Sequence, residues 1–172
     1  MGESFELEGV DWLTAGAVGE PGRRTFYIQA RREQDLLAVV VEKTQVQWLS
    51  RHAQELLGGI GVTVTPDDLD ANAQQLLEPV VPLWRAGSLG LGMDDAGEMF
   101  LLELEELVED TDTEPGRIRV YCTREQIVAM SAYAAYIVEA GARETCRFCG
   151  RPIDPLAGHV CPAANGHGPL TA

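Results

Sequence analysis

The chain has 172 residues, of which 45% are hydrophobic and 23% are charged, and its formal net charge is −14. This length and composition suit one globular domain with a sizeable core. The negative charge argues against nucleic-acid binding, because affinity for phosphate backbones comes largely from Lys and Arg.

The N-terminal residues show no targeting signal. Residues 1–6, Met-Gly-Glu-Ser-Phe-Glu, have neither the basic start nor the apolar stretch of a signal peptide. The sequence also has no apolar run near the roughly 20 residues of a membrane helix. We therefore expect a cytoplasmic protein with no membrane partner.

The first third of the chain predicts strands followed by a helix. Residues rich in β-branched and aromatic side chains predict strands over four ranges: 4–10, 12–18, 25–31 and 36–42. Thr44 and Gln47 form a capping-box pattern, in which the side chain of each residue accepts a hydrogen bond from the backbone N–H of the other. This pattern predicts a helix that ends near Leu57, before two glycines.

The remainder of the body predicts a further helix, three strands and a last helix. Thr65 and Pro66 suit the start of a helix, which is expected to end at Pro79. Strands are predicted over 80–91, 98–108 and 117–122, with an acidic loop at 109–116. Thr123 and Gln126 repeat the capping-box pattern and predict a helix to about Ala140.

The order of features in the first part of the chain recurs in the second part. Trp12 and Trp84 are each followed closely by Ala-Gly. Further along, each is followed by a strand that contains Phe and then by a capping box. The separations grow along the chain, as loop insertions would cause. Trp12 and Trp84 are therefore expected to be equivalent core or seam residues.

This recurrence predicts the fold class. We expect an α+β domain over residues 1–141, built from duplicated βββα units at about 4–60 and 80–141. The two units are expected to pack as one domain with a pseudo-two-fold axis. Residues 142–172 are expected to form a small zinc-ribbon or zinc-knuckle tail.

The tail contains the most specific motif of the chain. Cys146 and Cys149 are two residues apart and are followed by a glycine, and His159 and Cys161 come after a nine-residue spacer. Thiolates and imidazoles at such spacing form tetrahedral zinc sites. We predict one structural zinc held by all four residues, with His167 as the competing fourth ligand.

Alternative interpretations of these motifs are weaker. A redox pair of Cys146 and Cys149 is disfavoured, because thioredoxin-type motifs follow a strand and open a helix. Cys122 stands apart and is expected to be a small buried hydrophobe. The glycine-rich residues 87–92 lead into a hairpin and lack the lysine of a phosphate loop. The acidic residues 103–114 are expected to form a solvated face, since they lack calcium-loop spacing.

The strand-helix repeat and the motif Cys-x-x-Cys-Gly-x-Pro…His-x-Cys-Pro, here Cys146 to Pro162, resemble an actinobacterial family of unknown function. The likeness covers nearly the whole chain. Part of that family is labelled ParJ, a partner of the ParA-type chromosome-segregation ATPase. The resemblance implies a protein-interaction role, and it carries no catalytic residues.

Two functions of different kinds follow. The first is a non-enzymatic cytoplasmic adaptor with a protein partner, since no catalytic set is apparent in the sequence. The second is an enzyme or small-anion-binding protein with a pocket between the repeat halves, where the anion contacts would be arginines: Arg23, Arg24, Arg31 or Arg85. A deep seam pocket with paired arginines would favour the second.

Overall fold

A computed structural model describes residues 2–140, 146–151, 153 and 159–163. Within these residues the secondary-structure elements are, in chain order, β1 (Phe5–Leu7), β2 (Trp12–Val18), β3 (Thr25–Arg32), β4 (Asp35–Val41), α1 (Lys43–Gly59), β5 (Ala86–Met93), β6 (Met99–Glu106), β7 (Arg117–Thr123) and α2 (Arg124–Ala140). The predicted domain boundary at residue 141 lies outside the described residues, so the division into body and tail stays a prediction.

The strands form two sheets, which confirms the α+β class. One sheet has the order β2-β3-β4 and is antiparallel, and the other has the order β1-β7-β6-β5, with β1 parallel to β7. An antiparallel meander followed by a helix therefore occurs twice, as β2-β3-β4-α1 and as β5-β6-β7-α2. The pseudo-two-fold relation between these units stays a prediction.

The two units share one core, because each helix packs against a strand of the other unit. Helix α1 contacts β5, α2 contacts β2, and the helices also pack on each other. At the buried helix interface the hydroxyl of Ser50 donates to the carbonyl of Ser131 at 2.9 Å. No helix in the described residues has both the length and the apolar character needed to cross a lipid bilayer.

The strand register corrects the predicted alignment of the repeats. Matching Phe26 on β3 to Phe100 on β6 places Trp12 at the position of Ser88. Trp84 lies four residues earlier, before the irregular start of β5. The predicted equivalence of Trp12 and Trp84 is therefore wrong, although both indoles donate to loop carbonyls.

One of the two capping boxes is confirmed and the other is shifted. The N–H of Thr123 donates to Gln126 Oε1 at 2.9 Å, and the N–H of Gln126 donates to Thr123 Oγ1 at 3.3 Å. Helix α1 instead begins at Lys43, with the N–H of Glu42 donating to Gln45 Oε1 at 2.8 Å. The predicted pair of Thr44 and Gln47 is wrong, because β4 ends at residue 41 and the cap follows at once.

The predicted helix over 65–79 is also wrong. A single 3₁₀ turn occupies Pro66–Asp68, and the Asp70 carboxylate then accepts hydrogen bonds from two following backbone N–H groups at 3.1 and 3.0 Å. Such local bonds compete with helix formation. The strand predicted from residue 80 begins at Ala86, although Leu83 and Trp84 already bond to the backbone of β4.

Residues 73–77 form a segment that we call the strap, which lies across the outer face of β2 and β3. Trp12 and Thr14 donate to strap carbonyls at 2.9 and 2.6 Å. The buried Gln29 amide donates to the carbonyl of Leu77 at 2.9 Å and accepts from its N–H at 2.8 Å. The strap therefore occupies the face that the helices leave free.

Candidate metal centre

A tight turn brings the first two cysteines of the tail together. The N–H of Gly150 donates to the carbonyl of Cys146 at 2.8 Å, and the N–H of Cys146 donates to the carbonyl of Arg151 at 2.8 Å. Gly150 has a φ of +71°, a conformation that favours glycine. The glycine after Cys149 therefore lets the backbone curl beneath the two sulfurs.

The four predicted ligands converge on one point. The ligand atoms of Cys146, Cys149, His159 and Cys161 all lie within 4.8 Å of one another. Cys146 Sγ lies 3.6 Å from Cys161 Sγ, and Cys149 Sγ lies 3.0 Å from His159 Nε2. Two sulfurs bound to a tetrahedral zinc are about 3.8 Å apart, since each Zn–S bond is about 2.3 Å. The cluster therefore lies close enough to bind a metal ion.

The same distances distinguish the cluster from a disulfide. The sulfurs of Cys146 and Cys161 are separated by 3.6 Å, whereas a disulfide bond is about 2.05 Å long. The four cysteines, Cys122 included, are free thiols. His167, the competing fourth ligand, lies outside the described residues.

The sulfurs lie in unequal surroundings. Cys146 and Cys161 are only 2% and 4% exposed, while Cys149 and His159 are partly exposed. Hydrogen bonds from the backbone N–H groups of Cys149 and Phe148 lower the pKa of Cys146 to about 7. Desolvation raises the pKa of Cys161. The backbone turn thus supplies the N–H donors that stabilise a thiolate at the first ligand.

Cys122 is confirmed as a buried core residue. Its side chain is inaccessible to solvent, and its Sγ lies 3.6 Å from the carbonyl oxygen of Phe100. Desolvation raises the pKa of this thiol to about 12. It therefore behaves as a small hydrophobe.

The carboxylates of the acidic run were considered as an alternative cation site. Within the described residues the tail cluster is the one group of His, Cys, Asp or Glu side chains placed to hold a metal ion. Glu103 and Glu105 on β6 instead pair with Arg119 and Arg117 on β7 at 3.1 and 2.9 Å. This part of the acidic run forms a solvated strand face, as predicted.

Two of the four arginines proposed for an anion site, Arg24 and Arg85, have other partners. A depression of about 240 Å³ lies between α1 and α2, and its charged lining residues are Arg51 and Glu139. Arg24 donates to carbonyls in the last turn of α2 at 3.1 and 3.4 Å, and Arg85 pairs with Glu42. The seam depression thus lacks the paired arginines that an anion-binding site would need.

Comparison with known proteins yields one match. A family model described as a protein of unknown function, DUF3090, covers residues 5–161 and so includes the body and all four clustered residues. No curated protein and no solved structure shows significant similarity to the chain.

Proposed function

The chain belongs to the DUF3090 family, and we propose that it is a non-enzymatic interaction protein whose tail folds around one structural zinc ion. The observation that supports this proposal is the convergence of three thiols and one imidazole within 4.8 Å. Soft thiolate donors favour zinc over the hard cations that prefer oxygen.

The donor set favours a structural role for the metal. Four protein ligands complete a tetrahedral shell, so they leave no position for a reacting water. Catalytic zinc sites usually have three protein ligands and one open position. The zinc would therefore stabilise the fold of the tail and orient the side chains around it.

Those side chains suit contact with another protein. Phe148, next to the ligand Cys149, is 57% exposed, and Val160, next to Cys161, is 72% exposed. The Arg147 guanidinium lies 4.9 Å from the Phe148 ring centre. An aromatic, an aliphatic and a cationic group beside the metal ligands form the kind of anchor that is enriched at protein interfaces.

We also infer that the two meander-helix units arose by duplication. The inference is supported by the repeated strand order and by the parallel pairings of residues 5–7 with β7 and of Arg85 with β4. The shared core requires both units, so we treat the body as one cooperative scaffold that carries the tail.

The resemblance to ParJ-labelled proteins makes a ParA-type ATPase the first partner to test, in the reducing conditions of a cytoplasm. The zinc-loaded protein should bind the purified ATPase, and Phe148→Ala should weaken binding by at least about tenfold, roughly 1.4 kcal/mol. Tyr136→Ala on α2, where the side chain is 46% exposed, is the control for an aromatic truncation outside the tail. Equal affinity of all three proteins would exclude the tail as the docking site.

A further inference from the structure

The outer face of β5, β6 and β7 forms an open groove of about 540 Å³. Each of these strands contributes polar or glycine residues to its lining: Ser88 and Gly90, Glu103 and Glu105, and Arg117 and Arg119. A second depression of about 490 Å³ shares the two arginines and extends the groove toward β1. The groove therefore crosses the sheet from the edge strand β5 to β1.

The corresponding face of the other sheet is covered by the strap. Gly16 on β2 is needed there, because a Cβ atom at this position would lie 2.4 Å from the Leu76 side chain. Thr14 and Gln29 hold the strap backbone by hydrogen bonds. This half of the molecule thus shows how its outer sheet face accepts an extended chain segment.

The strand registers place the groove where a second strap would lie. With Phe26 matched to Phe100, Gly16 corresponds to Gly92, Thr14 to Gly90 and Gln29 to Glu103. Of these positions Gly90 and Glu103 line the groove, and Gly92 lies on the same face of β5, two residues beyond Gly90.

Two glycines of β5, Gly90 and Gly92, have no explanation within the described residues, whereas a Cβ atom at Gly87 would lie 3.1 Å from the Leu107 backbone. A Cβ atom at Gly92 would meet nothing within 4 Å, and one at Gly90 would make an ordinary contact with Glu103 at 3.9 Å. Glycine weakens a strand, and it often marks a site where another backbone approaches closely. Gly16 is such a site, with Leu76 packed against it, and Gly92 is its open counterpart.

The charge of the groove selects the kind of segment. The two depressions are lined by four acids, Glu6, Glu103, Glu105 and Glu114, against two arginines, which already pair with the first three of these acids. Glu103 lies at the position that corresponds to Gln29 in the first meander. An ionised carboxylate only accepts hydrogen bonds, whereas the glutamine amide also donates. The groove keeps a net negative charge, which an occupant complements with donors such as Lys and Arg side chains and backbone N–H groups.

We propose that this groove binds an extended, Lys- or Arg-bearing segment of a partner protein, laid across β5 and β6 as the strap lies across β2 and β3. The proposal rests on the interaction function inferred above and assigns it a second surface, separate from the zinc tail. The segment would pack against Gly90 and Gly92 and place its cationic groups beside Glu103 and Glu105.

The test is selection of random peptides displayed on phage against the zinc-loaded full-length protein, with affinities of synthetic winners measured by fluorescence anisotropy. We expect enriched peptides to carry Lys or Arg beside aliphatic residues. Gly92→Val should weaken their binding at least about tenfold without lowering the melting temperature. Gly58→Ala, a glycine in open space on α1, is the matched control and should bind normally.

Several results would overturn the proposal. These are an acidic consensus, no enrichment, winners that bind Gly92→Val unchanged, or a Gly92→Val protein that melts far below the parent. Dimerisation that Gly92→Val abolishes would assign the groove to a second copy of the chain. Binding of the ATPase through Phe148 with no groove-dependent peptides would reject this inference alone and leave the proposed function standing.

Discussion

The body over residues 5–140 and the described residues of the tail, 146–151, 153 and 159–163, bury different kinds of side chain. The body buries a continuous apolar core between its helices and the inner faces of both sheets. In the described part of the tail, the buried residues are Cys146 and Cys161, which belong to the metal cluster. One chain thus combines hydrophobic burial with ligand convergence, and the two should respond to different perturbations.

Removing the metal should produce the largest effect, and it should be confined to the tail. Structural zinc supplies on the order of 10–16 kcal/mol to finger-like segments, so chelation or Cys146→Ser should unfold residues around the cluster. Amide NMR signals of the tail should collapse while those of α1 and α2 stay in place. Cys122→Ala is the control, since it should keep the metal. Loss of body signals on chelation would show that the two regions are not independent.

Truncating a core side chain should destabilise the body and leave the tail unaffected. Phe100 is fully buried on β6, and Phe100→Ala should destabilise the body by about 3–5 kcal/mol through lost burial and a cavity. Denaturant titration followed by tryptophan fluorescence measures this change. Metal content should stay the same, and metal loss in this variant would contradict the separation of body and tail.

A smaller effect is expected at the strap. Gln29→Leu leaves the N–H and carbonyl of Leu77 without their partners, so we expect a loss of about 1–3 kcal/mol. Hydrogen exchange of the Leu77 amide should accelerate in the variant. Gln75→Leu, at an exposed strap position, is the control. Unchanged exchange in Gln29→Leu would mean that other contacts hold the strap.

The least perturbing experiment compares the reactivity of the cysteines. Because the pKa of Cys122 is about 12, its thiol stays protonated at pH 8, and iodoacetamide should leave it unmodified in the native protein. After chelation, Cys146, Cys149 and Cys161 should all be alkylated, as read by peptide mass spectrometry. Alkylation of native Cys122 would show that the core opens more easily than its burial suggests.

Local signals in the sequence explain which features could be predicted. Short spacings such as Cys146 to Cys149, and the capping pair of Thr123 and Gln126, are complete within a few residues. The start of α1 was missed because the residues at 42–47 offer two overlapping capping frames, and the end of β4 selects the earlier one. The helix expected after Thr65 failed because an Asp70 side chain satisfies the backbone locally.

Long-range features carried no comparable signal. Gln29 and Leu77 are joined by two hydrogen bonds across 48 positions of sequence, and no pattern near either residue indicates the pairing. The need for glycine at position 16 is visible only once Leu76 is placed above it. The alignment of Trp12 with Trp84 failed for another reason: it matched a short motif, whereas the pairing of each hairpin places Trp12 at the position of Ser88.

The central claim is that the tail is a closed zinc site, and X-ray absorption at the zinc edge tests it most directly. The protein purified without added metal should contain one zinc per chain, coordinated by three sulfurs at about 2.3 Å and one nitrogen at about 2.0–2.1 Å. Cys146→Ser should lose the signal and Cys122→Ala should keep it. A metal-free protein, or a zinc with a bound water and fewer sulfurs, would contradict the account.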